Sequence, residues 1–176
     1  FGCGNGTHLK FFLELNIKNI YGVDTSKIIY KIKNRKFKVY KINDEENLIK
    51  KINRKFDIIF SNQTLYYLSD EKISFYFKQF YQMLNKNGLI FTTWMAPKGK
   101  YYKYSKKIRN SEFRELRFNS RLKEKTYVNF KTKKLIEIII KKNNFKTLHY
   151  GHYDTELNHN EPDSGGFHYL NLSKKI

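Results

Sequence analysis

The sequence predicts an α/β protein: a three-layer sandwich in which a mostly parallel sheet lies between helices. Three observations predict it. Short apolar runs of strand length alternate with segments whose apolar residues recur every three or four positions, the signature of strands joined by crossover helices. A glycine-rich stretch, Phe1-Gly2-Cys3-Gly4-Asn5-Gly6-Thr7, feeds directly into the first helical segment. The last two strand-like runs have no helix between them, so they are expected to pair as an antiparallel hairpin. A chain of 176 residues is long enough to bury one core, and a single domain over residues 1–176 is expected.

Taken in order, Leu9, Phe12, Leu13 and Ile17 recur at helix spacing and predict a helix over 8–15. A loop of this kind is normally preceded by a strand, and Phe1 alone would remain of it; the sequence reads as starting inside its own first motif. The apolar run 20–23 is the next strand and ends in Asp24. A helix from Ser26 would bury Ile28, Ile29 and Ile32. A strand over 37–42 follows, and Asn43-Asp44-Glu45 opens a helix carrying Leu48, Ile49 and Ile52. The run 56–61 is nearly all apolar, as suits a central parallel strand covered on both faces. A helix over 70–84 places Ile73, Phe77, Phe80 and Leu84 on one side, and Asn85-Lys86-Asn87-Gly88 ends it, with Gly88 expected in the turn conformation. A strand follows over 89–94.

Residues 96–127 break this rhythm. They hold a Pro97-Lys98-Gly99-Lys100 turn, the tyrosines Tyr101, Tyr102 and Tyr104, and many charges. No clean strand is legible there, and the segment reads as an insertion or lid. The alternation resumes with an isoleucine-rich helix over 132–142, a strand over 145–150, a polar loop over 154–166 and a last strand over 167–172.

The formal charge of +19 comes from 35 Lys and Arg against 16 Asp and Glu. Such a balance ordinarily suggests nucleic acid or an anionic surface. Here Phe, Ile, Lys, Asn and Tyr are all heavily used, and these residues share adenine- and thymine-rich codons. Solvated surface lysine accounts for the charge better than a nucleic-acid groove does. A single cysteine excludes internal disulfides and fits a reducing, cytoplasmic setting. No apolar run reaches the length of a membrane span.

Glycine lets the backbone turn sharply and lets a ligand approach it closely. The helix that follows offers free N–H groups and the positive end of its dipole. Together they make a site for a nucleotide-like ligand. Asp24, at the tip of the next strand, can accept hydrogen bonds from both hydroxyls of a ribose. Asp24-Thr25-Ser26 is also a good helix-capping sequence, and Asp44 could likewise cap the helix after it. Cys3 has no identified base partner and reads as a small filler. His8 reads as structural.

Gly2-Cys3-Gly4-Asn5-Gly6 resembles the glycine loop of class I S-adenosylmethionine-dependent methyltransferases. So do Asp24 after its strand, Asp44 after the next, and the run Phe56-Asp57-Ile58-Ile59-Phe60-Ser61-Asn62. The turn Leu84-Asn85-Lys86-Asn87-Gly88-Leu89-Ile90 and the closing helix–strand–strand pattern resemble it too. The resemblance covers nearly the whole chain except the insertion. It implies a Rossmann-like seven-stranded sheet with the last strand inserted antiparallel between the two before it, and S-adenosylmethionine as cofactor. By the same resemblance Gly2, Cys3, Gly4 and Gly6 would pack against methionine and ribose, and Asp24 with Thr25 would hold the ribose. Asp44 and Glu45 would meet the adenine, and Asn62 would line the methionine end. The acid that usually precedes the glycine loop in that family would lie before Phe1.

For the methyl acceptor, the ends of the strands are where ligands meet an open α/β sheet. Gln63, Tyr66 and Trp94 are the candidate substrate contacts, with Tyr67 and His152 the candidate catalytic groups. His149, His159 and His168 lie in the same C-terminal region without metal-ligand spacing, and no metal is expected. Methyl transfer from a sulfonium requires chiefly positioning and exclusion of water. The acceptor is expected to be a small polar or sugar-like molecule bound under the insertion. RNA, favoured only by the charge, and a non-catalytic nucleotide-binding module are the alternatives. A nicotinamide-dependent oxidoreductase is disfavoured, because Thr7 stands where its fingerprint has glycine.

Overall fold

A computed structural model describes residues 1–34, 36–116, 125–155 and 166–176. The expected polar loop over 154–166, with His159, falls mostly outside the described residues. In chain order the first half comprises α1 (Thr7–Glu14), β1 (Ile20–Asp24), β2 (Phe37–Lys41), α2 (Leu48–Ile52), β3 (Phe56–Ser61) and α3 (Asp70–Met83). The second half comprises β4 (Leu84–Met95), α4 (Gly99–Lys103), β5 (Ser105–Lys107), β6 (Phe113–Leu116), β7 (Thr126–Asn129), α5 (Lys133–Lys142), β8 (Phe145–Asp154) and β9 (Phe167–Lys175).

The principal sheet has the order β3-β4-β9-β8. β3 and β4 run parallel, whereas β9 is antiparallel to both β4 and β8 and lies between them. The last strand is therefore inserted as the resemblance implied. β1 and β2 form a separate parallel pair, in register from Ile20↔Phe37 to Asp24↔Lys41. At the end nearest the glycine loop, the N–H groups of Gly2 and Cys3 reach the Val23 carbonyl at 2.9 and 3.0 Å. The Phe1 nitrogen donates to the Phe60 carbonyl at 2.7 Å. These first residues tie the tip of β1 to the tip of β3.

α3 carries the main core. Ser69 caps it by accepting from the Lys72 N–H, and Asp70 and Glu71 in its first turn face the positive dipole end. Ile73, Tyr76, Phe77 and Phe80 turn inward against Leu84, Ile90, Trp94 and Phe145, all at most 2% exposed. Each such side chain contributes about 1.5–3 kcal/mol by leaving water.

Several boundaries differ from expectation for identifiable reasons. The segment after Ser26 is a single 3₁₀ turn, Lys27–Lys31, whose three-residue repeat buries Ile29 and leaves Ile28 exposed. α2 starts late because Asn47, not Asp44, accepts from the Lys50 N–H and caps it. α3 stops at Met83, and residues 85–88 form a bulge within β4, not a helix-ending glycine turn. The left-handed position is Asn87, φ 63°, and Gly88 has no positive φ. Asp57 and Ile58 at the start of β3 are exposed, so that strand is covered on both faces only toward its end.

The largest correction concerns the expected insertion at 96–127, of which 117–124 lie outside the described residues. It is not devoid of strands: β5, β6 and β7 form a three-stranded antiparallel sheet after the short helix α4. The strands are three or four residues long, two of them half or more charged, with only one or two buried positions each. Alternation that short leaves no period to read in the sequence. The small sheet packs through Leu116 and Val128 against Tyr66 and Met95, which places it over the C-terminal ends of the principal strands.

Candidate active site

The glycine loop is built by its own hydrogen bonds. Gly2, Gly4 and Gly6 all have positive φ, at 70°, 51° and 85°. At Gly2 a side chain is excluded by packing too, since a Cβ there would lie 2.0 Å from Thr64 Oγ1. A Cβ on Gly4 would meet nothing within 4 Å, so open space lies above that residue. The Asp24 carboxylate organises the loop: Oδ2 accepts from the Gly4 N–H at 2.7 Å and Oδ1 from the Ser26 N–H at 2.8 Å. Each carboxylate oxygen keeps further acceptor capacity. Thr25 beside it is exposed. Burial pushes the Cys3 thiol up from its ordinary value, which suits a packed filler and not a nucleophile.

The other predicted cofactor residues stand at the same end of the sheet. Asp44 pairs with Lys72 Nζ at 2.9 Å, and this partner pushes the Lys72 ammonium up. Glu45 has φ 57° and donates its N–H to the Tyr76 hydroxyl at 3.1 Å. Asn62, just past β3, lies 3.3 Å from His8 Nε2 on α1. His8 and Thr64 are thus site neighbours that the sequence did not reveal. The visible hint was only that His8 falls in the first helical turn after the loop.

Among the residues expected to contact the acceptor, Gln63 is held at φ 51°, an uncommon conformation for a residue with a side chain. Its N–H donates to Thr93 Oγ1 at 2.6 Å, and its Nε2 donates to the Tyr153 hydroxyl at 3.1 Å. Tyr66 and Tyr67 follow, ring centroids 4.6 Å apart. Burial is the first cause that pushes both phenols up; their mutual hydrogen bond raises Tyr66 further and pulls Tyr67 back. The pair therefore offers neutral hydroxyls.

Two of the predicted residues do not join this group. Trp94 is fully buried, donates Nε1–H to Thr92 Oγ1 at 2.9 Å and packs on Phe77. β4 is covered on both faces at that point, so no side of it is open to a substrate. His152 is exposed and stacked on Phe167 at 5.1 Å. Side chains alternate along β8, so His152 faces away from its neighbour Tyr153, which touches Gln63. Tyr153 and His168, opposite each other in the β8–β9 register, stand beside Gln63 instead. Only hairpin register, which a sequence does not display, distinguishes them from His152.

The chain belongs to the methyltransferase domain family, whose model matches residues 1–150. Among solved structures it is similar to an S-adenosylmethionine-dependent methyltransferase from Methanosarcina mazei, with 12% identity and a TM-score of 0.76 over 99% of this chain and 90% of that one. A methyltransferase described in the same terms from Clostridium acetobutylicum is 19% identical, with a TM-score of 0.68 over 99% and 81%. A third, 1,6-didemethyltoxoflavin-N1-methyltransferase from Burkholderia thailandensis, solved with S-adenosylhomocysteine, is 12% identical with a TM-score of 0.68 over 99% and 68%. At these identities the likeness is one of fold, and the fold is that of a Rossmann-like methyltransferase. A search of curated proteins gives no match. No helix among the described residues is long and apolar enough to cross a membrane.

Proposed function

We propose that this chain is an S-adenosylmethionine-dependent methyltransferase acting on oxygen or nitrogen of a small polar or sugar-like acceptor in the cytoplasm. The observation that carries the cofactor reading is the Asp24 carboxylate clasping the Gly4 N–H beneath open space. It fixes a glycine loop whose unobstructed face suits a nucleoside. Gly2, Cys3, Gly4 and Gly6 would flank the methionine and ribose portions, and Asp24 and Thr25 the ribose hydroxyls. Asp44 and Glu45 would border the adenine and Asn62 the methionine end. The structurally similar toxoflavin-precursor enzyme holds S-adenosylhomocysteine, the demethylated form of this cofactor.

When bound, the cofactor supplies a methyl group on a sulfonium, a carbon already bearing a good leaving group. The chain's task is to orient the acceptor and exclude water. Gln63 is pinned by Thr93 and Tyr153 beside Asn62, and Tyr66 and Tyr67 present neutral hydroxyls and aromatic faces. Such groups orient a small acceptor through a few hydrogen bonds. The small sheet of β5, β6 and β7 roofs this end, which favours a metabolite over an open nucleic-acid groove.

Calorimetry tests the cofactor site: Asp24→Ala is expected to weaken S-adenosylmethionine binding at least about tenfold, a loss on the order of 1.4 kcal/mol. Unchanged affinity would remove Asp24 from the site. For the acceptor, metabolite pools are screened for methyl transfer while structured RNA is titrated at two salt concentrations. Tight RNA binding that weakens steeply with salt, with RNA methylation and no metabolite turnover, would sink the small-molecule reading.

A further inference from the structure

His168 carries an unexplained lone pair. The residue is 3% exposed, and its Nδ1 lies 3.0 Å from the Gly166 carbonyl oxygen. A carbonyl can only accept, so Nδ1 carries the proton and Nε2 is the bare, accepting nitrogen. That Nε2 is buried and has no hydrogen-bond partner among the described residues. A buried acceptor without a donor loses its hydration with nothing in exchange, and such an orphan calls for a reason.

The surroundings supply one. His168 stacks on Tyr153 at 4.6 Å, with the rings 7° from parallel, and its centroid is 5.7 Å from that of Tyr66. Tyr153 in turn accepts from Gln63 Nε2. The ring is thus fixed against the same residues that form the acceptor side of the proposed site. On its other flank is Tyr101 of α4: a Cβ added at Gly166 would lie 2.8 Å from His168 Cε1 and 3.0 Å from Tyr101 Cδ2. The titratable groups nearest His168 are therefore Tyr66 before α3, Tyr101 on α4 and Tyr153 on β8, with Asp154, the next residue of β8, acting on it through space. Asp154 is the one carboxylate among them.

We propose that His168 Nε2 is the proton acceptor of the methyl-transfer reaction, reached when Tyr101 yields to the acceptor molecule. This rests on the methyltransferase reading above. The acceptor's O–H or N–H hydrogen bonds to Nε2. As the acceptor heteroatom forms its bond to the methyl carbon, the carbon–sulfur bond breaks with its electron pair left on sulfur. The acceptor's proton passes to Nε2, giving an imidazolium that later returns it to water. Burial holds the imidazole below its ordinary value, with the Gly166 bond and Asp154 opposing, so the base form is the resident one at neutral pH. The acceptor is thereby narrowed to molecules whose reacting atom bears a hydrogen.

Two readouts test this without an identified acceptor. Nitrogen-15 spectra of histidine-labelled protein at neutral pH should show His168 protonated at Nδ1 and bare at Nε2; an Nε2–H tautomer overturns the proposal. Diethyl pyrocarbonate labelling, read by mass spectrometry with His8, His149 and His152 as internal references, should modify His168. The rate should rise at least about tenfold in Tyr101→Ala. A His168 that stays unlabelled in a folded Tyr101→Ala protein overturns the proposal. Once the metabolite screen yields turnover, His168→Gln should lower kcat about a hundredfold or more and abolish the acidic limb of the pH profile. Loss of rate with that limb retained would mean a merely structural histidine. S-adenosylmethionine binding, measured separately on the same variants, reports on the methyltransferase reading independently of His168.

Discussion

The Asp24 carboxylate accepts two backbone N–H groups, so its removal acts on the loop itself as well as on any ligand. Hydrogen bonds to a charged acceptor contribute about 1.5–3 kcal/mol. Asp24→Ala is therefore expected to lower the melting temperature without any ligand present, whereas Thr25→Ala, beside it and exposed, should leave it unchanged. Differential scanning calorimetry of the two proteins decides this, and equal melting would show that the loop does not depend on Asp24. His168 predicts a pH effect of definite sign. Its folded value lies below the unfolded one near 6.5. As pH falls through about 6.5, the unfolded chain takes up the proton first, so stability present at higher pH is lost down to the folded value. Urea midpoints at pH 7.5 and 5.5 should differ less in His168→Phe than in the wild type.

At the scale of elements, the small sheet is fastened to the main body by one polar cluster. Lys131, 4% exposed, pairs with Asp70 Oδ1 at 2.5 Å, and its Nζ also donates to Asn129 Oδ1. Asn129 at the end of β7 donates to the Leu68 carbonyl and to Asp70, which lies in the first turn of α3. The contribution is asymmetric. Asp70→Ala leaves a buried ammonium with reduced compensation and is expected to cost about 3 kcal/mol, the low end for a broken buried pair because Asp70 is 60% exposed. Lys131→Met removes the buried charge altogether and should cost clearly less. Denaturant titration of the two variants checks the order, and the reverse order would show that the ammonium is well solvated. In the core of α3, Phe77→Ala should cost about 3–5 kcal/mol, since the ring is fully buried against Trp94 and Phe145.

Across the whole molecule, the sheet is divided. The facing edges of β1 and β3 share no ladder among the described residues, and the residues Phe1, Gly2 and Cys3 bridge them only at the tips. Unpaired edges expose backbone groups that a further strand can satisfy. A chain carrying an additional parallel strand before Phe1 is expected to melt higher than residues 1–176 alone. Equal melting temperatures would show that the two sheets gain nothing from being joined. The glycine loop would then be held by Val23, Asp24 and Phe60 without further support.

The sequence by itself determined the order of strands and helices, the loop with its three glycines, and the acid one helix later. Those features are local: period, turn chemistry and spacing act over a few residues, and each is written along the chain. The helix cores at Ile73, Phe77 and Phe80 were legible for the same reason. Tertiary structure alone decided what is built from contacts distant in sequence. It buried Trp94 by covering β4 on both faces, and it put His152 and His168 on opposite sides of the hairpin through a register that a one-residue shift would invert. It also paired β5, β6 and β7 into a sheet whose strands are too short to show a period, and brought His8 to Asn62 and Tyr153 to Gln63 across 54 and 90 residues. The glycine loop is a local structure and was readable, whereas the cluster of Gln63, Tyr153 and His168 is assembled by packing and existed only once the chain had folded.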